Sequence, residues 1–267
     1  NMYNTAVGAA AGQKVTTGTG NTLIGGLAGD ALTTGNDNVA IGKDALSADT
    51  LGSGSVAIGL VALQDQNFTT ATNAYNTAIG RSAGRDITTG VNNVIIGALA
   101  GDALTDADLN VAVGKGALTT DTLGSNSVAI GFAALEAQNF TTATDSYNTA
   151  VGSAAGAAVT TGVRNTFIGG LSGDALTTGL DNVAMGKSAL SAETSGARSV
   201  AIGSNSLTAQ NVGSGTAVYN TAVGYDAGAS VTTGIKNILM GGLAGDAMTD
   251  ADSNVAIGFE SLTTNVL

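Results

Sequence analysis

The chain contains no cysteine, proline, histidine or tryptophan. Without cysteine it can form neither disulfides nor thiolate sites. The lack of proline suits a backbone in which nearly every N–H group donates to a ladder of hydrogen bonds. No apolar run reaches the roughly 18 residues of a spanning helix, so we expect no membrane insertion in this segment.

Positive charge is also scarce, because 9 lysines and arginines stand against 20 acidic residues and leave a net charge of −11. Binding to a phosphate backbone needs many cationic contacts, so we expect no nucleic-acid partner. Aromatic residues make up only 4% of the chain. The 43% of hydrophobic residues, much of it Ala and Val, is too high for a disordered chain and predicts a thin core.

One short motif recurs along the whole chain. Residues 38–42, Asn-Val-Ala-Ile-Gly, represent it, and it is present in fifteen copies. The copies start at Asn4, Asn21, Asn38, Ser55, Asn76, Asn93, Asn110, Ser127, Asn148, Asn165, Asn182, Ser199, Asn220, Asn237 and Asn254. Successive starts lie 17, 17, 17 and then 21 residues apart, which nests a period of 17 within one of 72. A short fixed period predicts a solenoid of stacked coils.

Four coils form one 72-residue cassette. Cassettes 4–75, 76–147 and 148–219 are complete, and 220–267 is partial. We expect residues 1–267 to form a single repetitive β-solenoid domain. Because residues 2–4 match the cassette junction at 74–76, we also expect this domain to be a fragment of a longer fibre.

Each motif predicts a short strand. We number every coil from its Asn or Ser as position 1; positions 2 and 4 are Val, Thr, Ile or Met, and position 5 is Gly. Positions 2 and 4 share one face of a strand, and position 3 takes the other. Position 3 is Ala except in the second coils, where it is Leu23, Ile95, Phe167 or Leu239. With both faces apolar, we expect one face to fill the coil and the small Ala face to meet a partner, so that Ala129→Phe blocks assembly by overpacking.

The glycine at position 5 indicates a turn with positive φ, or a backbone approach too close for a Cβ atom. These structural turn glycines are Gly8, Gly25, Gly42, Gly59, Gly80, Gly97, Gly114, Gly131, Gly152, Gly169, Gly186, Gly203, Gly224, Gly241 and Gly258. Position 9 runs Gly, Gly, Leu, Leu through each cassette, whereas position 12 is apolar in the first two coils and polar in the next two. The alternation predicts volume compensation in a stacked core.

Two polar columns accompany the strands. Position 13 is Thr in every complete coil of the first three types and Asn in the fourth. A Thr column could form an ice-binding face, but Thr as a strand former that makes ladder contacts is the favoured interpretation. The Asn at position 1 similarly favours an internal ladder that satisfies backbone groups of the turn.

The fourth coil carries four extra residues, and most aromatic residues lie in or beside this loop. Loops on a rigid scaffold commonly carry recognition, so we predict binding to a surface receptor, either a glycan or a protein. The same aromatics could instead plug the seam between copies or cover the coil edge. The candidate partner-binding residues are Phe68, Tyr75, Phe140, Tyr147 and Tyr219.

Catalytic and metal chemistry fit the sequence poorly. Ser and Thr have no recognisable base beside them, and carboxylates that recur with the cassette do not form the unique pair that glycoside hydrolysis needs. Repeated aspartates, such as Asp106 and Asp108, could offer oxygen ligands to calcium. Capping of turns is the favoured interpretation, because no complete calcium loop is present. We therefore expect no enzyme, no metal and no cofactor.

The repeats resemble the Asn-Ser-Val-Ala-Ile-Gly head repeats of trimeric autotransporter adhesins, the YadA-like family. Residues 126–131 carry that motif in full, and residues 55–59 and 199–203 match it from the Ser onward. Similar repeats also occur in phage tail fibres. The resemblance implies a left-handed parallel β-roll that assembles as a parallel homotrimer outside the cell or on a virion. The 17-residue coil and the regular cassette depart from the family's usual pattern.

The expected fold is therefore all-β, a parallel β-solenoid (β-roll) of about fifteen 17-residue coils in four-coil cassettes, and the resemblance adds left-handedness and a homotrimer. The expected function is that of an extracellular structural or adhesive fibre segment, on a cell or virion surface, that presents loops for attachment. The alternatives are a phage tail fibre shaft that contacts the host and an ice-binding solenoid module. A polysaccharide depolymerase is a more distant one.

Overall fold

A computed structural model describes residues 2–213 and 215–263. Its regular elements are short strands joined by turns, and no helix occurs within that part of the chain. The chain divides into two units. The first comprises the residues up to Ser127 together with 139–145, and the second comprises 128–138 and the residues from Ser146 onward.

The first unit contains eleven of the strands in the described residues. They are β1 (Thr5–Val7), β2 (Thr22–Ile24), β3 (Val39–Ile41), β4 (Gly52–Ser53), β5 (Val56–Ile58), β6 (Thr72–Asn73), β7 (Thr77–Ile79), β8 (Val94–Ile96), β9 (Val111–Val113), β10 (Gly124–Ser125) and β12 (Thr144–Asp145). The three-residue strands β1, β2, β3, β5, β7, β8 and β9 pair in parallel in that order. The two-residue strands form separate parallel pairs, β4 with β6 and β10 with β12, beside the longer fourth-coil loops.

The second unit repeats this arrangement. Its strands are β11 (Val128–Ile130), β13 (Thr149–Val151), β14 (Thr166–Ile168), β15 (Val183–Met185), β16 (Val200–Ile202), β17 (Thr221–Val223), β18 (Ile238–Met240) and β19 (Val255–Ile257). Each pairs in parallel with the next, and position 3 always opposes position 3, as in Ala150 opposite Phe167. The predicted all-β parallel β-solenoid is confirmed, with about fifteen turns at a spacing of about 17 residues.

The predicted orientation of the strand faces is wrong. From β2 onward the residue at position 3 is buried, and Ala129 itself is 0% exposed. Ala at this position therefore lines the interior of the coil and does not face a partner. The reason is steric: a three-residue strand directs only its middle side chain inward, and leucines from position 9, such as Leu46 and Leu63, already occupy the narrow interior. Ala129→Phe would overpack the coil itself.

Volume compensation inside the coil is confirmed. Leu32 at position 12 and Leu46 at position 9 are both fully buried, so successive coils fill the core from different positions. Where position 3 is large, position 9 is glycine. A Cβ atom added to Gly173 would lie 2.3 Å from Cε1 of Phe167, so the glycine leaves the space that the ring occupies.

The two polar columns form the predicted ladders. The backbone N–H of Asn38 donates to Oδ1 of Asn21 at 3.0 Å, and Nδ2 of Asn38 donates to the Gly52 carbonyl at 2.9 Å. The hydroxyl of Thr33 donates to the carbonyl of Thr50 at 3.0 Å. The Asn Oδ1 and the Thr hydroxyl thus bond to the adjacent coil, whereas the Asn Nδ2 bonds to the turn at the end of its own coil.

Turn glycines at position 5 all take backbone angles that side chains rarely adopt, with φ between 125° and 145°. Crowding adds to this constraint at Gly42, where a Cβ atom would lie 2.3 Å from the carbonyl oxygen of Gly59 in the next coil. Position 5 therefore requires glycine both for φ and for close stacking of the coils.

Candidate functional site

The side chains at positions 2 and 4 of successive coils form a surface that we call the outer strand face. From β2 onward, each of these side chains is partly or fully exposed. In the first unit they are Thr22, Ile24, Val39, Ile41, Val56, Ile58, Thr77, Ile79, Val94, Ile96, Val111 and Val113. In the second unit they are Val128, Ile130, Thr149, Val151, Thr166, Ile168, Val183, Met185, Val200, Ile202, Thr221, Val223, Ile238, Met240, Val255 and Ile257. Neither set contains a charged residue.

A hydrogen-bonded ladder supports the outer strand face on both sides of each strand. On one side, the N–H of Val39 donates to the carbonyl of Ser55 at 2.9 Å, and on the other the N–H of Gly42 donates to the carbonyl of Ile24 at 2.8 Å. The columns therefore repeat at the strand spacing of about 4.8 Å. Most of the side chains are β-branched and stiff at χ1, so covering them costs little rotamer entropy.

Exposure of this kind is unusual in a chain that functions alone. Ile79 is 37% exposed and Ile130 is 38% exposed, although both belong to hydrogen-bonded strands. Monomeric soluble proteins rarely expose a long contiguous apolar patch, and such patches commonly mark an interface. The sequence shows that both faces of each strand are apolar. Because the Ala at position 3 lies in the interior, the side chains at positions 2 and 4 are the ones that form this exposed surface.

The predicted loop residues divide into two groups. Phe68 and Phe140 are only 5% and 6% exposed, and they lie inside the fourth-coil loop. Tyr75 and Tyr147 are both 57% exposed, and Tyr219 is 51% exposed. The structure thus places the tyrosines where a partner could touch them, whereas the phenylalanines fill the loop's own interior. Receptor binding by the loops stays a prediction.

A buried polar cluster holds each fourth-coil loop. In the first cassette, Asp49 is fully buried, and its carboxylate accepts hydrogen bonds from the N–H of Gly52 at 2.9 Å and from Nε2 of Gln66 at 2.6 Å. Gln66 in turn accepts from Nδ2 of Asn76 at 2.9 Å. The polar residues at position 12 of the third and fourth coils were the sequence feature that indicated this cluster, but the hydrogen bonds among them were not predicted.

The third cassette differs, since Val212 stands where the other loops have Phe. A cleft of about 150 Å³ opens here, lined by Thr178, Leu180, Ser195, Ala197, Arg198, Gly215 and Ala217. The Arg198 guanidinium lies 5.7 Å from the centre of the Tyr219 ring and donates to its hydroxyl at 3.2 Å. Nearby, the guanidinium of Arg164 bonds to Asp181 and lowers the pKa of that carboxyl.

The repeated aspartates bond mainly to the protein. Oδ1 of Asp108 accepts from the N–H of Val91 at 2.7 Å, and Oδ1 of Asp106 accepts from the hydroxyl of Thr89 at 2.5 Å. Asp174 is an exception, because its Oδ1 is buried without a hydrogen-bond partner and burial raises its pKa. Among the described residues, no three or more potential ligands of the His, Cys, Asp and Glu types cluster as a metal site would require.

Comparisons with family models, with curated proteins and with solved structures returned no match. Within residues 2–213 and 215–263 there is no helix of the length and hydrophobicity that crossing a bilayer requires.

Proposed function

We propose that the chain is a structural fibre segment that associates with copies of itself through the outer strand face. The observation that carries this proposal is the uncharged, β-branched surface that repeats in coil after coil while remaining exposed. Burial of apolar surface contributes about 25 cal/mol per Å², so a face of this length supplies a strong drive for association. The corresponding role is to hold the attachment loops in place mechanically, and not to catalyse a reaction.

The periodicity of the face favours a copy of the same chain as its partner. Rows of Val and Ile at a spacing of about 4.8 Å mate fully only with a surface of the same period. A second solenoid coil ladder has that period, whereas a globular partner would match only a few rows. Parallel association about a common axis would cover the face along its length, as closed cyclic symmetry requires.

We further propose a homotrimer of left-handed coils, built from four-coil cassettes and displayed outside the cell or on a virion. Support comes from the resemblance to YadA-like head repeats, which residues 126–131 carry in full. The recurrence of the buried cluster supports the cassette, because Glu193 accepts a hydrogen bond from Gln210 as Asp49 does from Gln66. Phage tail fibres of similar sequence remain the alternative within the same structural role.

The attachment function is proposed for the loops. Tyr75, Tyr147 and Tyr219 recur every 72 residues and project into solvent, which would present a receptor with the same ring several times. Repeated weak contacts of this kind raise avidity without a single tight site. A surface glycan or protein is the expected receptor.

The test is the solution mass of the parent protein and of Ile79→Lys, measured by light scattering over a range of concentrations. We expect about three chains for the parent and a single, folded chain for the variant, because a lysine at the apolar centre cannot be covered. Thr89→Lys is the matched control, since Thr89 is exposed but lies outside the outer strand face. A parent that stays a single chain at every concentration would refute self-association.

The ice-binding alternative predicts a solution mass of a single chain instead of about three chains. A flat, monomeric face could order water, although the position 13 hydroxyls, such as that of Thr33, already donate to carbonyl groups of the next coil. A single-chain mass together with thermal hysteresis in the purified protein would favour this alternative.

A further inference from the structure

The two edges of the outer strand face carry charges that identify how the copies align. We propose that neighbouring copies associate in parallel and in the same axial register, with Asp37 of one copy paired with Lys43 of the next. The inference rests on the proposed self-association and adds the residues that fix orientation and register.

The edges are defined by two columns of residues. The leading column is the residue immediately before position 1, and the trailing column is position 6. Hydrogen bonds between coils continue through both edges: the N–H of Asp37 donates to the carbonyl of Thr19 at 2.9 Å, and the N–H of Asp44 donates to the carbonyl of Gly26 at 3.0 Å. Both columns therefore stack in step with the strands and flank the outer strand face.

Rotation about an axis parallel to the solenoid brings unlike edges together. The leading edge of one copy then meets the trailing edge of the next at the same coil, because rotation does not change height along the axis. In the first unit this matches Asp37 with Lys43. No coil in either unit places like charges opposite each other under this rule.

Other alignments lose this complementarity. A shift by one coil places Lys43 opposite glycine, Gly20 or Gly54, and in the second unit it can place Arg164 against Lys187. An antiparallel twofold pair brings leading edge against leading edge and removes every match between the two columns. Edge charges of this kind specify register more than they add affinity.

The pair cannot form within one chain. Asp37 and Lys43 are separated by six residues of largely extended backbone, which spans roughly 20 Å at ~3.3 Å per residue. Both side chains are exposed, and the intramolecular contact of Lys43 is a 3.4 Å ion pair with its neighbour Asp44. Energetic coupling between positions 37 and 43 would therefore report contact between copies.

The test is charge reversal with rescue, using Asp37→Lys, Lys43→Asp and the double variant. Light scattering in a dilution series at low salt gives the concentration at which each assembly dissociates. We expect each single reversal to weaken association by about 2- to 5-fold per interface, and the double variant to return to the parent value. High salt should shrink the differences, because exposed charges are screened.

Lys115→Asp is the matched control, because Lys115 occupies the same coil position in the next cassette but faces the uncharged Leu109. It changes net charge as Lys43→Asp does without removing an ion pair, so we expect a smaller effect. If the two reversals at 37 and 43 simply add in the double variant while the parent still assembles, the register proposal is overturned. A parent that does not assemble would instead refute the proposed function.

Discussion

The packing inside the coil predicts that a large side chain can be moved from position 167 to position 173. Phe167 is fully buried, and a Cβ atom at Gly173 would lie 2.3 Å from its ring. We consider three variants: Phe167→Ala, Gly173→Leu and the double change. The first empties the interior, the second overfills it, and the third gives positions 3 and 9 the residues of the third coils, where Ala184 accompanies Leu190.

The expected magnitudes follow from core substitutions in general. Phe167→Ala should lower the free energy of unfolding by about 3–5 kcal/mol, because the cavity cannot collapse between stacked coils. Gly173→Leu alone should cost at least ~1–3 kcal/mol through overpacking. The left-handed φ of 55° at Gly173 adds about 1–2 kcal/mol of backbone strain, which the fold tolerates at Leu190, where φ is 54° at the same coil position. The double variant should recover at least ~2 kcal/mol relative to the sum of the single changes.

The measurement is chemical unfolding of all four proteins, followed by circular dichroism. Strong positive coupling between the two changes supports the compensation between positions 3 and 9. Two results would refute it: a Gly173→Leu variant as stable as the parent, or a double variant whose loss equals the sum of the single losses.

Further predictions concern the turns and the buried polar groups. Gly42→Ala should destabilise the fold by at least ~3 kcal/mol, whereas Gly26→Ala, with no atom within 4 Å of the added Cβ, should unfold like the parent. Asp49→Ala should cost about 1–3 kcal/mol for each buried donor left unpaired, measurable as a lower unfolding midpoint. Asp174→Asn should remove the carboxyl whose pKa is raised by burial, so the free energy of unfolding should depend less on pH in the acid range. Because a raised carboxyl pKa makes stability fall as pH rises through it, the variant should show less of that fall in an NMR and unfolding titration.

The architecture of the coil was predictable from the sequence because the same residue types recur at several positions of every repeat. A glycine such as Gly42, a β-branched pair around Ala40 and an amide at Asn38 recur together, and each is needed for stacking. Period-two alternation states which residues share a strand face, but it does not state which face is inside. That choice depends on the volume contributed from elsewhere in the coil, here by Leu46, and this volume is visible only once the turns are built.

The loop residues illustrate a second limit. Phe68 and Tyr75 lie seven residues apart in one loop, yet one is buried and the other exposed. The difference arises because the N–H of Phe68 bonds to the buried Asp49, at 3.4 Å and 19 residues distant in sequence. From the sequence alone both aromatic rings are candidate contacts for a partner, so the buried Phe68 could not be distinguished from the exposed Tyr75.

The most direct test of the outer strand face as the contact between copies is cysteine cross-linking, since the natural chain has no cysteine to interfere. Ile79→Cys places one thiol on the face, and Thr89→Cys places one on exposed surface away from it. Under mild oxidation, the account predicts rapid disulfide-linked dimers for Ile79→Cys and little cross-linking for Thr89→Cys. Equal rates for both variants, or linkage confined to position 89, would contradict it.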